Sequence, residues 1–192
     1  MTSNVKPSAA LWFGLLAGLA LAAFVLTLAA CGGNDDNEGA SEPTSIASAD
    51  ETAYLEALES ALQAVNAQLD GLDELRADAF DDGPNPAVAF AYGEGYETFM
   101  LDRLAAIEAI TPSESLSDEH QALVSAASDG TVLAKDLRAK LGESPPANDA
   151  EFLELFGSLA GATITSRYLD ACTKLQTGAA SGGVDVDLQC LL

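Results

Sequence analysis

Between residues 55 and 72, Leu55, Leu58, Leu62, Val65, Leu69 and Leu72 recur at alternating steps of three and four. This spacing lines up one side of an α-helix and suits no extended strand, whose side chains alternate at period two. Glu56, Glu59, Asp70, Asp73 and Glu74 fall between the apolar positions, on the side left to water. The stripe covers only about three heptads, too short for a self-sufficient coiled coil. A helix of this kind needs partners, and the remaining sequence is read first for what they are.

Asp81-Asp82-Gly83-Pro84-Asn85-Pro86 ends the first helix. Asn85 is an N-cap candidate for the next, with Pro86 at the first helical position, where a missing N–H costs nothing. Helix two is expected to run to about Ile110, with Tyr92, Tyr96, Phe99, Leu104 and Ile107 in the core. Gly93 and Gly95 are expected to weaken or kink its first half. Helix three begins near Ser117 and carries Leu123, Val124, Ala127, Leu133, Leu137 and Leu141. Lys135, Arg138 and Lys140 suit the negative end of its dipole, and Gly142 with Pro145-Pro146 stops it. Helix four opens on a capping-box pattern, Asn148 to Glu151. It carries Phe152, Phe156, Leu159, Ile164, Tyr168, Leu169 and Leu175, with Gly157 and Gly161 offering a flat spot for close approach. Thr177–Gly183 reads as a flexible link. Val184-Asp185-Val186-Asp187-Leu188 then alternates as a short extended segment lying on the bundle. With no second strand candidate there is no sheet: the expected class is all-α, a four-helix bundle with an extended C-terminal tail.

The chain before residue 50 has another character. From Ala9 to Ala30 no charge interrupts the run AALWFGLLAGLALAAFVLTLAA, and only Lys6 precedes it. The run is long enough to span a bilayer. Its end, Leu28-Ala29-Ala30-Cys31, resembles the lipobox of bacterial lipoproteins. The resemblance implies cleavage between Ala30 and Cys31, with diacylglycerol on the Cys31 sulfur. The competing reading is an uncleaved transmembrane anchor, with Gly14 and Gly18 as a helix-packing face. Both place the rest of the chain outside the cytoplasmic membrane. Residues 32–48 are rich in Gly, Ser, Asp and Glu and cannot bury enough apolar surface to offset ordering entropy. Asp35-Asp36-Asn37-Glu38 lacks the spacing of a calcium loop. The domain reading is therefore a signal peptide at 1–30, a lipidated Cys with an acidic tether at 31–49, and a helical domain at 50–192.

With Cys31 used by lipid, Cys172 and Cys190 remain as an even pair in an oxidising compartment. A Cys172–Cys190 disulfide would pin the tail to helix four. A redox or metal pair is the alternative, but the spacing is not C-x-x-C and no His is near in sequence. Ile110-Thr111-Pro112 followed by His120, and Cys172 to Cys190 with Val186-Asp187-Leu188 before the last Cys, resemble a pattern in uncharacterised exported helical proteins of bacteria. There the helix ends in Pro-Pro, and here Thr111 takes the first place. The resemblance implies a fold and an address, and no activity.

Chemistry is sparse. The chain of 192 residues carries 30 Asp+Glu against 8 Lys+Arg, a formal net charge of −22. Loss of residues 1–30 would remove one base, Lys6, and no acid. Such a balance argues against nucleic acid and anionic headgroups as partners, since phosphate recognition runs on Lys and Arg. No nucleophile elbow, P-loop, zincin helix or dinucleotide loop is present. His120 is the one imidazole and is read as packing or a cap-region hydrogen bond before any ligand or general-base role. Asp70, Asp73, Glu74, Asp78, Asp81 and Asp82 are the densest acids of the folded region, weak metal candidates together with His120. A solvated helix face is the plainer reading. No cofactor and no enzymatic activity are expected. The function expected is an extracytoplasmic, lipid-anchored accessory or interaction domain of the cell envelope. The alternative is a binding module for a divalent cation or small cationic ligand.

Overall fold

Ser48 opens the first helix. Its hydroxyl accepts from the Glu51 N–H at 3.2 Å, while the Glu51 carboxylate accepts from the Ser48 N–H at 2.5 Å. This reciprocal capping box starts α1, Ala49–Asn66, one residue ahead of the expected boundary. The structure, a computed structural model, describes residues 47–80 and 83–190. The expected signal segment with Ala30, the expected lipidation site Cys31, most of the expected tether, and Asp81 and Asp82 lie outside the described residues.

Five further α-helices follow: α2, Leu69–Phe80; α3, Pro86–Glu108; α4, Ser117–Glu143; α5, Asp149–Ser158; and α6, Gly161–Ser181. A 3-10 turn, Glu114–Leu116, leads into α4. No strand occurs among the described residues. The helices form a bundle of four rods, α1–α2, α3, α4 and α5–α6. The α3–α4 interface is the most extensive, α4 also packs on α6, and α1 and α2 pack on α3. No described helix is long and apolar enough to cross a membrane.

Two rods are broken where the sequence pattern ran through. In the first, Ala67 and Gln68 form a turn in which the Gln68 N–H reaches back only three residues, to the Val65 carbonyl at 3.0 Å. Neither residue is Gly or Pro, so composition gave no signal. In the fourth, α5 ends at Ser158 and Ala160 takes a left-handed backbone, φ 59°. Gly161 is required there, because a Cβ would lie 2.3 Å from a ring carbon of Phe156. Gly157 and Gly161 therefore straddle a helix break and are not one flat helical face.

Three other expectations are adjusted by packing. Helix α3 runs unbroken through Gly93 and Gly95. A Cβ on Gly93 would sit 3.0 Å from the Arg138 Cα, and one on Gly95 2.9 Å from a Leu72 methyl. These glycines admit α4 and α2 closely rather than kinking α3. The link expected at Thr177–Gly183 is helical as far as Ser181, because Ala179 is a core residue. The helix ends in a Schellman motif: Gly183 has φ 78°, its N–H donates to the Ala180 carbonyl, and the Val184 N–H donates to that of Ala179. The third adjustment is at α5, where Asn148 caps the Glu151 N–H at 3.0 Å but the Glu151 carboxylate returns to the Ala147 N–H, at 2.9 Å.

Elsewhere the patterns hold. Asn85 accepts from the Val88 N–H ahead of Pro86, and α4 starts at Ser117. Leu55, Leu58, Leu62, Val65 and Leu72 are buried, each worth about 1.5–3 kcal/mol relative to exposure. The tail alternates as its sequence does, with Val186 and Leu188 buried and Asp185 and Asp187 exposed. Cys172 and Cys190 form the expected disulfide, Cα atoms 5.5 Å apart. The core divides into two clusters. One gathers Tyr54, Leu58, Leu62, Ile107, Leu123, Tyr168, Leu175 and the tail. The other gathers Val65, Leu72, Phe80, Tyr92, Phe99, Met100, Leu137 and Phe152.

Candidate functional site at Arg103

One charged side chain lies between those clusters. Arg103 on α3 follows Phe99 by four residues and precedes Ile107 by four, so helical periodicity turns all three to one face. It is 1% exposed. Its guanidinium carbon lies 4.2 Å from the centroid of the Phe99 ring and 4.9 Å from that of Tyr168 on α6. These cation–π contacts replace part of the lost hydration. Among the described residues one hydrogen bond anchors the group: Nη2 donates to Asn66 Oδ1 at 2.7 Å. Among the described residues the buried Nε and Nη1 have no hydrogen-bond partner, and no ion pair involves Arg103.

The electrostatics follow from that burial. Desolvation pulls the Arg103 pKa below its ordinary value, while the nearby Tyr168 and Tyr96 phenols oppose the shift. A guanidinium nevertheless stays protonated at any ordinary pH. Burial pushes the pKa values of Tyr96 and Tyr168 upward against the pull of Arg103. The phenols therefore remain neutral and provide no counter-charge.

Asn66 is the last residue of α1, at the break before α2. Its Oδ1 faces Arg103, and its Nδ2 donates to Gln189 Oε1 at 3.3 Å. Gln189 has a left-handed backbone, φ 48°, and its N–H donates to Asp187 Oδ1 at 2.9 Å. Asn66, Leu69, Asp70, Asp187, Gln189 and Cys190 line a cleft of about 400 Å³. One carboxamide thus touches both the buried guanidinium and the cleft beneath the disulfide-held tail.

The residues singled out from sequence lie elsewhere or apart. Asp70 lines the cleft, whereas Asp73, Glu74 and Asp78 are exposed along α2. Among the described residues no three His, Cys, Asp or Glu side chains gather to hold a metal. His120 is buried in the first turn of α4, its Nδ1 3.0 Å from the Tyr54 hydroxyl on α1. Burial lowers the imidazole pKa. Burial and the Glu119 carboxylate push that of Tyr54 up to about 12. This is a cross-helix hydrogen bond inside the core. Sequence reasoning missed Arg103, yet a signal existed, since it stands midway between two expected core residues at helical spacing.

No known protein family matches the chain, and no curated protein or solved structure does so either.

Proposed function

We propose that the chain is a bacterial lipoprotein, held outside the cytoplasmic membrane by lipid on Cys31, whose helical bundle is a non-enzymatic accessory or interaction domain of the cell envelope. The observation that carries this reading is Leu28-Ala29-Ala30-Cys31 at the end of an uncharged run, followed by an acidic tether and then by the bundle. Two acyl chains suffice for stable anchoring. The bundle places its acids outward and forms its disulfide, as suits an oxidising compartment. Labelled palmitate fed to expressing cells should enter the wild-type protein and not Cys31→Ser. An unlabelled wild-type protein would sink the anchor. Crosslinking on intact cells should then trap a discrete envelope partner, and a chain that stays monomeric throughout would remove the interaction half.

A second reading, a site for a divalent or small organic cation, has one observation in its favour. Asp70 and Asp187 line the same cleft, with the Asn66 and Gln189 carboxamides beside them. Oxygen donors of this kind suit a hard cation. A rise in melting temperature with micromolar Ca²⁺, cancelled by Asp70→Asn, would favour it. Equal small shifts with every salt would reduce it to charge screening.

A further inference from the structure

We propose that the face of the α3–α4 pair turned away from the bundle docks a second copy of this chain, the two copies related by a two-fold axis that runs along the helices. Three of the four large apolar side chains left exposed among the described residues, Phe90, Leu101 and Val132, lie on these two helices. On α3, Phe90, Glu94, Glu97 and Leu101 follow one another at steps of four, three and four. On α4, Val132, Lys135 and Ala139 do so at steps of three and four. Such spacing draws one stripe along each helix. The Glu97–Arg138 ion pair, 2.9 Å, ties the stripes side by side, and the Phe90 ring lies over Gly142. Asp102 bonded to Gln68, and Asp129 paired with Arg167, mark the sides of α3 and α4 that other helices cover, away from both stripes. An apolar face of this kind, rimmed by charge, marks an interaction surface.

The charges decide what covers it. A chain with a formal net charge of −22 repels its own copies over most of its surface. This face is an exception, with acids Glu94 and Glu97 on α3 and bases Lys135 and Arg138 on α4. Lys135 is exposed and enters no ion pair among the described residues. The helices run antiparallel, with Gly93 against Arg138 and Met100 against Gly130. A two-fold axis along the helices therefore sets α3 of one copy against α4 of the other at the same level. Leu101 then meets the second copy's Val132, and Glu94 falls opposite the second copy's Lys135, twice over by symmetry. An axis across the helices would set α3 against α3, acid against acid, which costs free energy. The lengthwise axis also leaves both α1 starts, each beside its Tyr54–His120 contact, at one end of the pair, which suits two anchors in one membrane. Two helices of this length, 23 residues in α3, offer on the order of 700 Å² per copy, close to the about 800 Å² of a stable pair.

The inference rests on the interaction half of the proposed function and names its partner. The test sediments the full-length chain in detergent. Wild type should be a dimer at micromolar concentration and should weaken as NaCl is added. Lys135→Glu alone sets Glu against Glu94, and Glu94→Lys alone sets Lys against Lys135. Each should self-associate at least about tenfold more weakly. An equal mixture of the two variants restores both opposite-charge contacts and should dimerise as wild type does. A wild-type chain that sediments singly overturns the pairing, and so does a dimer indifferent to both substitutions or a mixture that stays monomeric. A different protein crosslinked on intact cells, with the chain itself single in detergent, would overturn self-pairing while leaving the interaction reading in place.

Discussion

A guanidinium taken out of water loses several kilocalories of hydration, and two rings with one carboxamide return only part. Arg103 therefore costs the fold something that an apolar side chain of similar volume would not. Arg103→Met should leave stability unchanged or raise it by about 1–4 kcal/mol, measured by urea unfolding. A loss of more than about 2 kcal/mol would show that the charge stabilises the seam. His120 tests the same physics with opposite bookkeeping of protons. Burial holds its pKa in the folded chain below the ordinary imidazole value of 6.5, so the unfolded chain binds the proton more readily. The imidazole thus adds no penalty above that value, and stability is lost as pH falls through the window between it and the folded pKa. Between pH 7.5 and 5, wild type should lose more melting temperature than His120→Gln. The acids of the surface are common to both proteins. Parallel curves would mean that burial of His120 has no electrostatic consequence.

Among the elements, helix starts were legible because their signals are chemical and local. Asn85-Pro86 supplies a cap and a fixed φ, and Ser117 opens α4 after a Pro-containing turn. Stops and breaks were harder to read. Thr177–Gly183 has the composition of a linker, yet one buried residue, Ala179, is enough to hold the final turns against the core. The break at 67–68 follows Asn66, whose side chain reaches Arg103 and Gln189, and the break at 159–160 sets Gly161 against the Phe156 ring. Two substitutions separate helix from linker at the end of α6. Gly178 is exposed, with open space around its Cα, so Gly178→Ala should stabilise by about 0.5–1 kcal/mol if the segment is helical. Gly183→Ala meets no neighbour but must hold φ 78°, and should cost about 1–2 kcal/mol. Both are checked by chemical unfolding. Two null effects would restore the flexible link.

At the scale of the whole molecule, the disulfide and the tail close one end of the bundle. The sequence separation of 18 residues corresponds to about 3 kcal/mol of loop-closure stabilisation. Cys172→Ala/Cys190→Ala should unfold at correspondingly lower urea. It should also loosen the cleft wall, since Gln189 and Cys190 belong to it. All-α class, helix order, tail alternation and the Cys pairing could all be read from periodicity and cysteine counting. The Arg103 site could not, because it depends on three elements meeting: a mid-helix Arg, the residue before an unsignalled break, and a Tyr sixty-five positions later. The address, by contrast, stands on sequence alone. The most direct test of that proposal is the intact mass of the protein purified from the membranes of bacterial cells expressing it. The account predicts a chain that starts at Cys31 and carries the added mass of a diacylglycerol. A chain that retains residues 1–30, with no added lipid, would contradict it.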